Sequence, residues 1–272
     1  MREPEPRTLA ARPSFRDLMT AAAWNPMIRA CLDLRVSQIA GRGWSIEVPR
    51  QPGCARDIGE SRIVISRMYR PDERWPGYAE WMRELATQLL MNGTVALGLL
   101  RPERPWLLDT ASVLPIPRCP SDPGGPEIIG LLDYGPDQAA WRVTTAGIPV
   151  QSIGRPRHVY QEGSFAYLSF EPAEDSLFAL SPVEKAINQH PDDVLEAFGL
   201  TAAELTGSAD PGETPGPAWL SERLTWIAEK VMPLFIGPHL RWRWAEPGMH
   251  EDLARISALG RMETALPGPD AP

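Results

Sequence analysis

The chain has 272 residues, a formal net charge of −8, 43% hydrophobic residues and 23% charged residues. Those are the proportions of a globular protein, and they argue against wholesale disorder and against simple electrostatic capture of nucleic acid by the monomer. No apolar run approaches the roughly 18–20 residues that span a bilayer, no apolar stretch of the secretory kind follows the start, and three dispersed cysteines, Cys31, Cys54 and Cys119, make neither a disulfide scaffold nor a CxxC zinc site.

Thirty prolines and 22 glycines predict many loops and short strands. Residues 1–14 read as a flexible arm. Phe15, Leu18, Met19 and Ala22 then fall on one helical face. A second helix follows Asn25-Pro26, with Met27, Ala30, Cys31 and Leu34 on its apolar side, and ends at Gly41 or Gly43. Residues 44–48 alternate as a strand, 49–61 read as a loop, and 62–72 fit either element. A helix over about 76–91 carries Tyr78, Trp81, Met82, Leu85 and Leu89 on one face and stops at Asn92-Gly93. A buried strand from Val95 to Leu100 comes next. Short strands are expected at 105–108, 112–116, 127–134, 140–144 and 166–170.

Ser181-Pro182-Val183-Glu184 is a capping box with Pro in the first turn, so a helix is predicted from there to about Gln189. His190-Pro191 breaks it. Short helices are predicted over 193–199 and from Thr201 to Gly207, and 208–217 reads as a linker. A helix over about 218–232 places Leu220, Leu224, Ile227 and Val231 together. His239 to Trp244 alternates as a half-buried strand, with Leu240, Trp242 and Trp244 opposite Arg241 and Arg243. A helix over 249–264 precedes a tail.

Searches for catalytic motifs return nothing. The chain has no P-loop, no G-x-G-x-x-G, no H-E-x-x-H, no G-x-S-x-G and no calcium loop. His158, His190, His239 and His250 show no metal-ligand spacing. The acids at 192, 193, 196 and 204 fit helix N-termini better than a catalytic carboxylate cluster. Most of the ten tryptophans sit at amphipathic spacing, which favours core packing or subunit contact over binding of sugars or bases. No catalytic residue, cofactor or metal is therefore assigned.

Several segments, in order, resemble the portal proteins of tailed bacteriophages. NPMIRACLDLRVSQIAGRGWSIEVP (25–49) looks like the family's opening helix, Gly turn and Trp-x-Ile strand. YAEWMRELATQLLMNGTVALGLL (78–100) resembles its helix, Asn-Gly turn and apolar strand, and WLLDTASVLPIP (106–117) its short-stranded region. VYQEGSFAYLSFEPAEDSLFALSPVEKAIN (159–188) is similar to the strand and loop that lead into a Ser-Pro helix. DDVLEAFGLTAAELTG (192–207) resembles the signature I-A-x-x-F-G-V-P-P-x-x-L-G, with Thr201-Ala202 in place of Pro-Pro. LRWRWAEPGMHEDLARISALGRM (240–262) resembles the late strand and helix. Where portals carry a long insert with channel-lining stem material, only Gln189, His190 and Pro191 intervene.

The resemblance implies an α+β, portal-like fold, with helical layers around a mixed short-stranded wing-like region. Its parts would be the arm 1–14, a portal-like core 15–189, short helices and a linker 190–217, a helix-strand-helix part 218–266 and a tail 267–272. It implies a non-enzymatic subunit of a head-vertex ring through which double-stranded DNA passes during packaging and ejection. Partners would be further copies of itself, capsid protein, terminase, a head-tail adaptor and DNA held non-specifically, with no membrane. Its location would be the virion, or the bacterial cytoplasm during assembly. The chain would be a compact portal, a prophage or gene-transfer-agent version, or an internally deleted remnant. Residues proposed to face a neighbouring subunit or DNA are Trp81, Arg241, Trp242 and Arg243. Two other readings stay open. One is a monomeric interaction module descended from a portal. The other is a hydrolase with an unrecognised Ser/His/Asp site, whose mark would be perturbed titrating groups in a deep pocket.

Overall fold

The computed structural model describes residues 15–47, 63–66, 68, 74–75, 77–99, 105–118, 127–135, 155–172, 179–187, 189–207, 216–236 and 240–245. The expected arm 1–14, loop 49–61, strand 140–144, helix 249–264 and tail 267–272 lie outside these residues, as does the expected linker 208–217 up to residue 215; Gly216 and Pro217 instead open a helix. The described part is a mixture of helices and small antiparallel sheets, an α+β arrangement. Among the described residues no helix is long and apolar enough to cross a membrane.

Two helices open the fold. α1 (Phe15–Trp24) buries Leu18 and Ala22 but leaves Met19 47% exposed, so Met19 does not share the buried face as its spacing predicted. Asn25 then caps α2 (Pro26–Ala40): its side-chain oxygen accepts from the backbone N–H groups of Met27 at 3.0 Å and Ile28 at 3.2 Å. Pro26 occupies the first turn, where its missing N–H costs nothing. The buried stripe of α2 is Ile28, Cys31, Leu32, Arg35, Val36 and Ile39, whereas Met27, Ala30 and Leu34 are only half-buried. The stripe is rotated from the predicted one because an arginine lies within it.

Gly41 ends α2, and the chain enters β1 (Trp44–Glu47). After a helical stretch at 63–66, α3 (Tyr78–Asn92) lies against α2 and wholly buries Trp81, Met82, Leu85, Ala86 and Leu90. It stops at Gly93, whose φ of 70° is left-handed and whose N–H returns to the Leu89 carbonyl at 2.8 Å. A Cβ there would lie 2.8 Å from the Leu180 carbonyl carbon, so this turn admits glycine for two reasons.

β2 (Thr94–Gly98) is buried throughout and forms the centre of a sheet with β3 (Trp106–Leu108) and β7 (Phe165–Ser169). A second sheet has the order β4 (Val113–Pro117), β5 (Ile128–Asp133), β6 (His158–Gln161). β6 was not anticipated. Its burial pattern is mostly exposed, so it lacks the apolar alternation that betrays a strand. Only residues 162–164 separate β6 from β7, with Gly163 at φ 82°, yet the two strands join different sheets.

The later helices are short. Ser181 caps α4 (Pro182–Ala186), accepting from the Glu184 N–H at 3.0 Å; the helix ends three residues before the expected Gln189. α5 (Pro191–Ala197) begins at Pro191, two residues earlier than expected. α6 (Ala202–Thr206) has the full reciprocal capping box between Thr201 and Glu204 and stops at left-handed Gly207. The helix expected over 218–232 is observed as three pieces. α7 (Gly216–Trp226) passes into a π-helical turn at Ile227–Val231, and α8 (Pro233–Ile236) follows. Pro233 has no N–H to continue an α ladder, and the Met232 N–H reaches back five residues to the Ile227 carbonyl at 2.9 Å.

The last strand, β8 (Arg241–Trp244), pairs antiparallel with β1, about two hundred residues away along the chain, in the register Trp44↔Trp244, Ile46↔Trp242 and Glu47↔Arg241. Its inner face stacks Trp242 on Trp44 at 4.6 Å between ring centroids. One large apolar cluster unites α1, α2, α3, α4, α5, the π turn and this ribbon. A smaller one, Ala96, Leu108, Val113, Leu131 and Tyr160, lies between the two three-stranded sheets.

Candidate functional site

The Phe198-Gly199 dipeptide follows α5 and organises a polar junction with Arg35 of α2. Phe198 is wholly buried in the main core. Gly199 has φ 58°, and a Cβ there would lie 2.6 Å from Cβ and Cδ1 of Trp219. The dipeptide therefore needs glycine for its backbone conformation and for the indole packed against it.

The carbonyls exposed at the end of α5 are met by Arg35, whose side chain is 1% exposed. Its Nε donates to the Phe198 carbonyl at 2.8 Å, and Nη2 donates to the Gly199 carbonyl. Nη1 donates to Gln38 Oε1 at 2.6 Å and lies 3.9 Å from Glu204 Oε1. A cation at a helix C-terminus is electrostatically favoured, and here the planar fork matches two adjacent carbonyls. Burial lowers the Arg35 pKa; the nearby Glu204 charge opposes that shift.

A second guanidinium packs on the same indole. Arg223 Cζ stands 3.6 Å from the Trp219 ring centroid and 4.4 Å from that of Phe170, while Arg35 Cζ is 5.0 Å from Trp219. Arg223 Nη2 donates to Glu171 Oε1 at 3.2 Å, and Nη1 donates to Glu222 Oε2 at 3.4 Å. Lys185 Nζ donates to the other Glu171 oxygen. Burial pushes the Arg223 guanidinium down to about 10 against the pull of Glu171 and Glu222, which leaves it protonated at neutral pH.

These groups form the floor of a cleft of about 450 Å³ between α4, α5 and α7. Glu171, Lys185, Glu222 and Arg223 neutralise one another within it. Asp193 and Glu196 stand on its α5 wall and are exposed; neither has a side-chain partner among the described residues. The cleft is thus an open, acid-rimmed recess over stacked arginine and tryptophan, suited to holding a cationic side chain.

The four residues selected from the sequence are divided between two environments. Trp81 is wholly buried, with Phe235 edge-on at 4.9 Å, and Trp242 is 6% exposed between Trp44 and Trp244. Both sit in the core of the chain, joined through Tyr78. The reason is register: both fall on the inward stripe that the amphipathic spacing itself marks. Arg241 and Arg243 are exposed on the outer face of the β1–β8 ribbon, and Arg243 Nε donates to Glu47 Oε2 at 2.9 Å. Sequence reasoning marked Gly199 only as a helix end within the Phe-Gly segment and missed Arg35, Trp219 and Arg223. One signal was present: Arg35 stands in the apolar stripe of α2, seven residues from Ile28 and four from Ile39.

Among the described residues the other titratable groups form no catalytic constellation. His158 packs edge-on against Tyr160, and His190 Nδ1 lies 3.8 Å from Asp192 Oδ2 at the surface. His239 and His250 lie outside the described residues. Among the described residues no group of three His, Cys, Asp or Glu side chains could hold a metal ion.

No family model matches the chain, and no curated protein matches it. Solved structures similar to the chain include three from gene transfer agent particles. A chain of the virion of a native gene transfer agent particle aligns with TM-score 0.43 and 19% identity over 98% of this chain and 72% of that one. A chain from the neck of the empty particle, computed with C6 symmetry, gives 0.44 and 17% over 98% and 73%. A chain from the neck of the native particle, computed with C12 symmetry, gives 0.42 and 17% over 94% and 71%. Likeness at this level assigns the chain to no family.

Proposed function

We propose that this protein is a portal-like structural subunit of a phage-type particle, acting in a closed ring at the head vertex through which double-stranded DNA passes. The observation that supports it is the ordered set of portal-like segments, together with the local forms those segments take. The segment 25–49 contains a Pro-led helix, a glycine stop and a Trp-x-Ile strand. The segment 78–100 contains a helix, a left-handed glycine and a buried strand. Ser181 caps a Pro-led helix, and Phe198-Gly199 terminates the next. A subunit of this kind needs complementary lateral surfaces and no catalytic residue. Its partners would be its own copies, capsid protein, terminase and a head-tail adaptor.

A second reading, a monomeric interaction module, is favoured by one specific feature. α4 ends at Ala186 and α5 begins at Pro191, so the position where portals carry stem material is a direct junction. Light scattering after size exclusion, with negative-stain images of the peak, separates the two. A closed ring supports the portal reading. A monomer of one chain mass at every concentration refutes it in favour of the module.

A further inference from the structure

The outer face of the β1–β8 ribbon and the wall of the acid-rimmed cleft carry opposite charges that the chain does not use on each other. On the ribbon, Arg241 has no ionic partner among the described residues, while Arg243 is exposed and shares Glu47. On the cleft wall, Asp193 and Glu196 have no ionic partner among the described residues, while Lys185 pairs with Glu171 and Arg223 with Glu171 and Glu222. We propose that these two faces meet between copies of the chain, with Arg241 and Arg243 of one copy seated at Asp193 and Glu196 of the next. This inference rests on the ring reading above and assigns the lateral contact within it.

Spacing supports the pairing as well as sign. Arginines two apart on one face of a strand stand about 6.5–7 Å apart. Carboxylates three apart on a helix face have Cβ atoms about 5–6 Å apart. Two guanidiniums from a pleated ribbon therefore match two carboxylates from one turn of helix. Arg155 and Arg157 have the same sequence spacing, but they precede β6 in an irregular segment where no pleat sets the distance. The contact joins different surfaces of the two copies, as a head-to-tail ring requires. The cleft of about 450 Å³ has room for a guanidinium and its stem.

The test uses the full chain and a charge exchange. Molar mass is followed by light scattering over a concentration series for the native protein, E196R, R241E and the double variant E196R/R241E. Each single reversal should weaken association by about ten-fold or more, and the double variant should recover most of the loss, because the exchanged charges attract again. Both positions are exposed; circular dichroism checks the fold, and E196Q and R241Q serve if a reversal disturbs it. Single variants that assemble like the native chain overturn this contact while leaving the ring reading intact. Failure of the double variant to recover also overturns it. A native chain that stays monomeric removes the ring reading and this contact together.

Discussion

Replacing Gly199 by alanine tests whether the Phe198-Gly199 junction is held by the stacked arginines or merely passes near them. Two costs add. A left-handed backbone at a residue with a Cβ costs about 1–2 kcal/mol. The new Cβ would then lie 2.6 Å from Cβ and Cδ1 of Trp219, inside the closest approach of carbon atoms. Relieving that overlap displaces an indole against which Arg35 and Arg223 pack, a repacking cost of about 1–3 kcal/mol. The expected destabilisation is about 2–5 kcal/mol. Gly207 supplies the control: its φ is 71°, and a Cβ there meets nothing within 4 Å. G207A should therefore cost only the backbone term, and the loss of unfolded-chain freedom is common to both variants. Urea unfolding followed by circular dichroism gives both numbers. If G199A and G207A agree within about 0.5 kcal/mol, Trp219 does not constrain the junction and the account of the site is wrong.

Arg35→Met removes the donors that satisfy two carbonyls at the end of α5 and should cost about 2–5 kcal/mol in the same assay; Arg35→Lys, keeping the charge without the fork, should recover only part. Burial raises the Asp109 pKa above its ordinary 3.8, with Glu84 and Asp133 adding and the Ala111 N–H opposing. The folded state thus holds the proton more tightly, so this carboxyl favours folding most below 3.8 and loses that contribution as pH rises through its raised pKa. The stability difference between native protein and Asp109→Asn should vary with pH over that window and level off above it, as read from urea midpoints. Cys31 is wholly buried, and burial pushes its thiol up to about 11 despite the Arg35 charge. Iodoacetamide at pH 8 should leave it unmodified in the native protein and label it in urea, as peptide mass mapping would show.

Local signals carried much of the architecture. Asn25-Pro26, Ser181-Pro182, Thr201 with Glu204, and Gly93 each start or stop a helix through bonds spanning a few residues, so the sequence alone places those ends. The alternation of residues 240–244 likewise separates the inward tryptophans from the outward arginines. An exposed strand such as β6 has no such pattern, and neighbouring residues cannot say which sheet it joins. The π turn depends on how Pro233 interrupts a helix that is already packed.

The sequence by itself determined the α+β composition, most helix caps and the two faces of β8, because those properties arise from side-chain period and nearby hydrogen bonds. Only the tertiary structure decided that β8 pairs with β1, that Trp81 and Trp242 lie inside, and that Arg35 and Arg223 pack on one indole. Burying a guanidinium is costly until carbonyls, carboxylates and an aromatic face are assembled around it. Arg35 finds its carbonyls 163 and 164 residues away and Arg223 finds Glu171 52 residues away, so no local pattern could announce them.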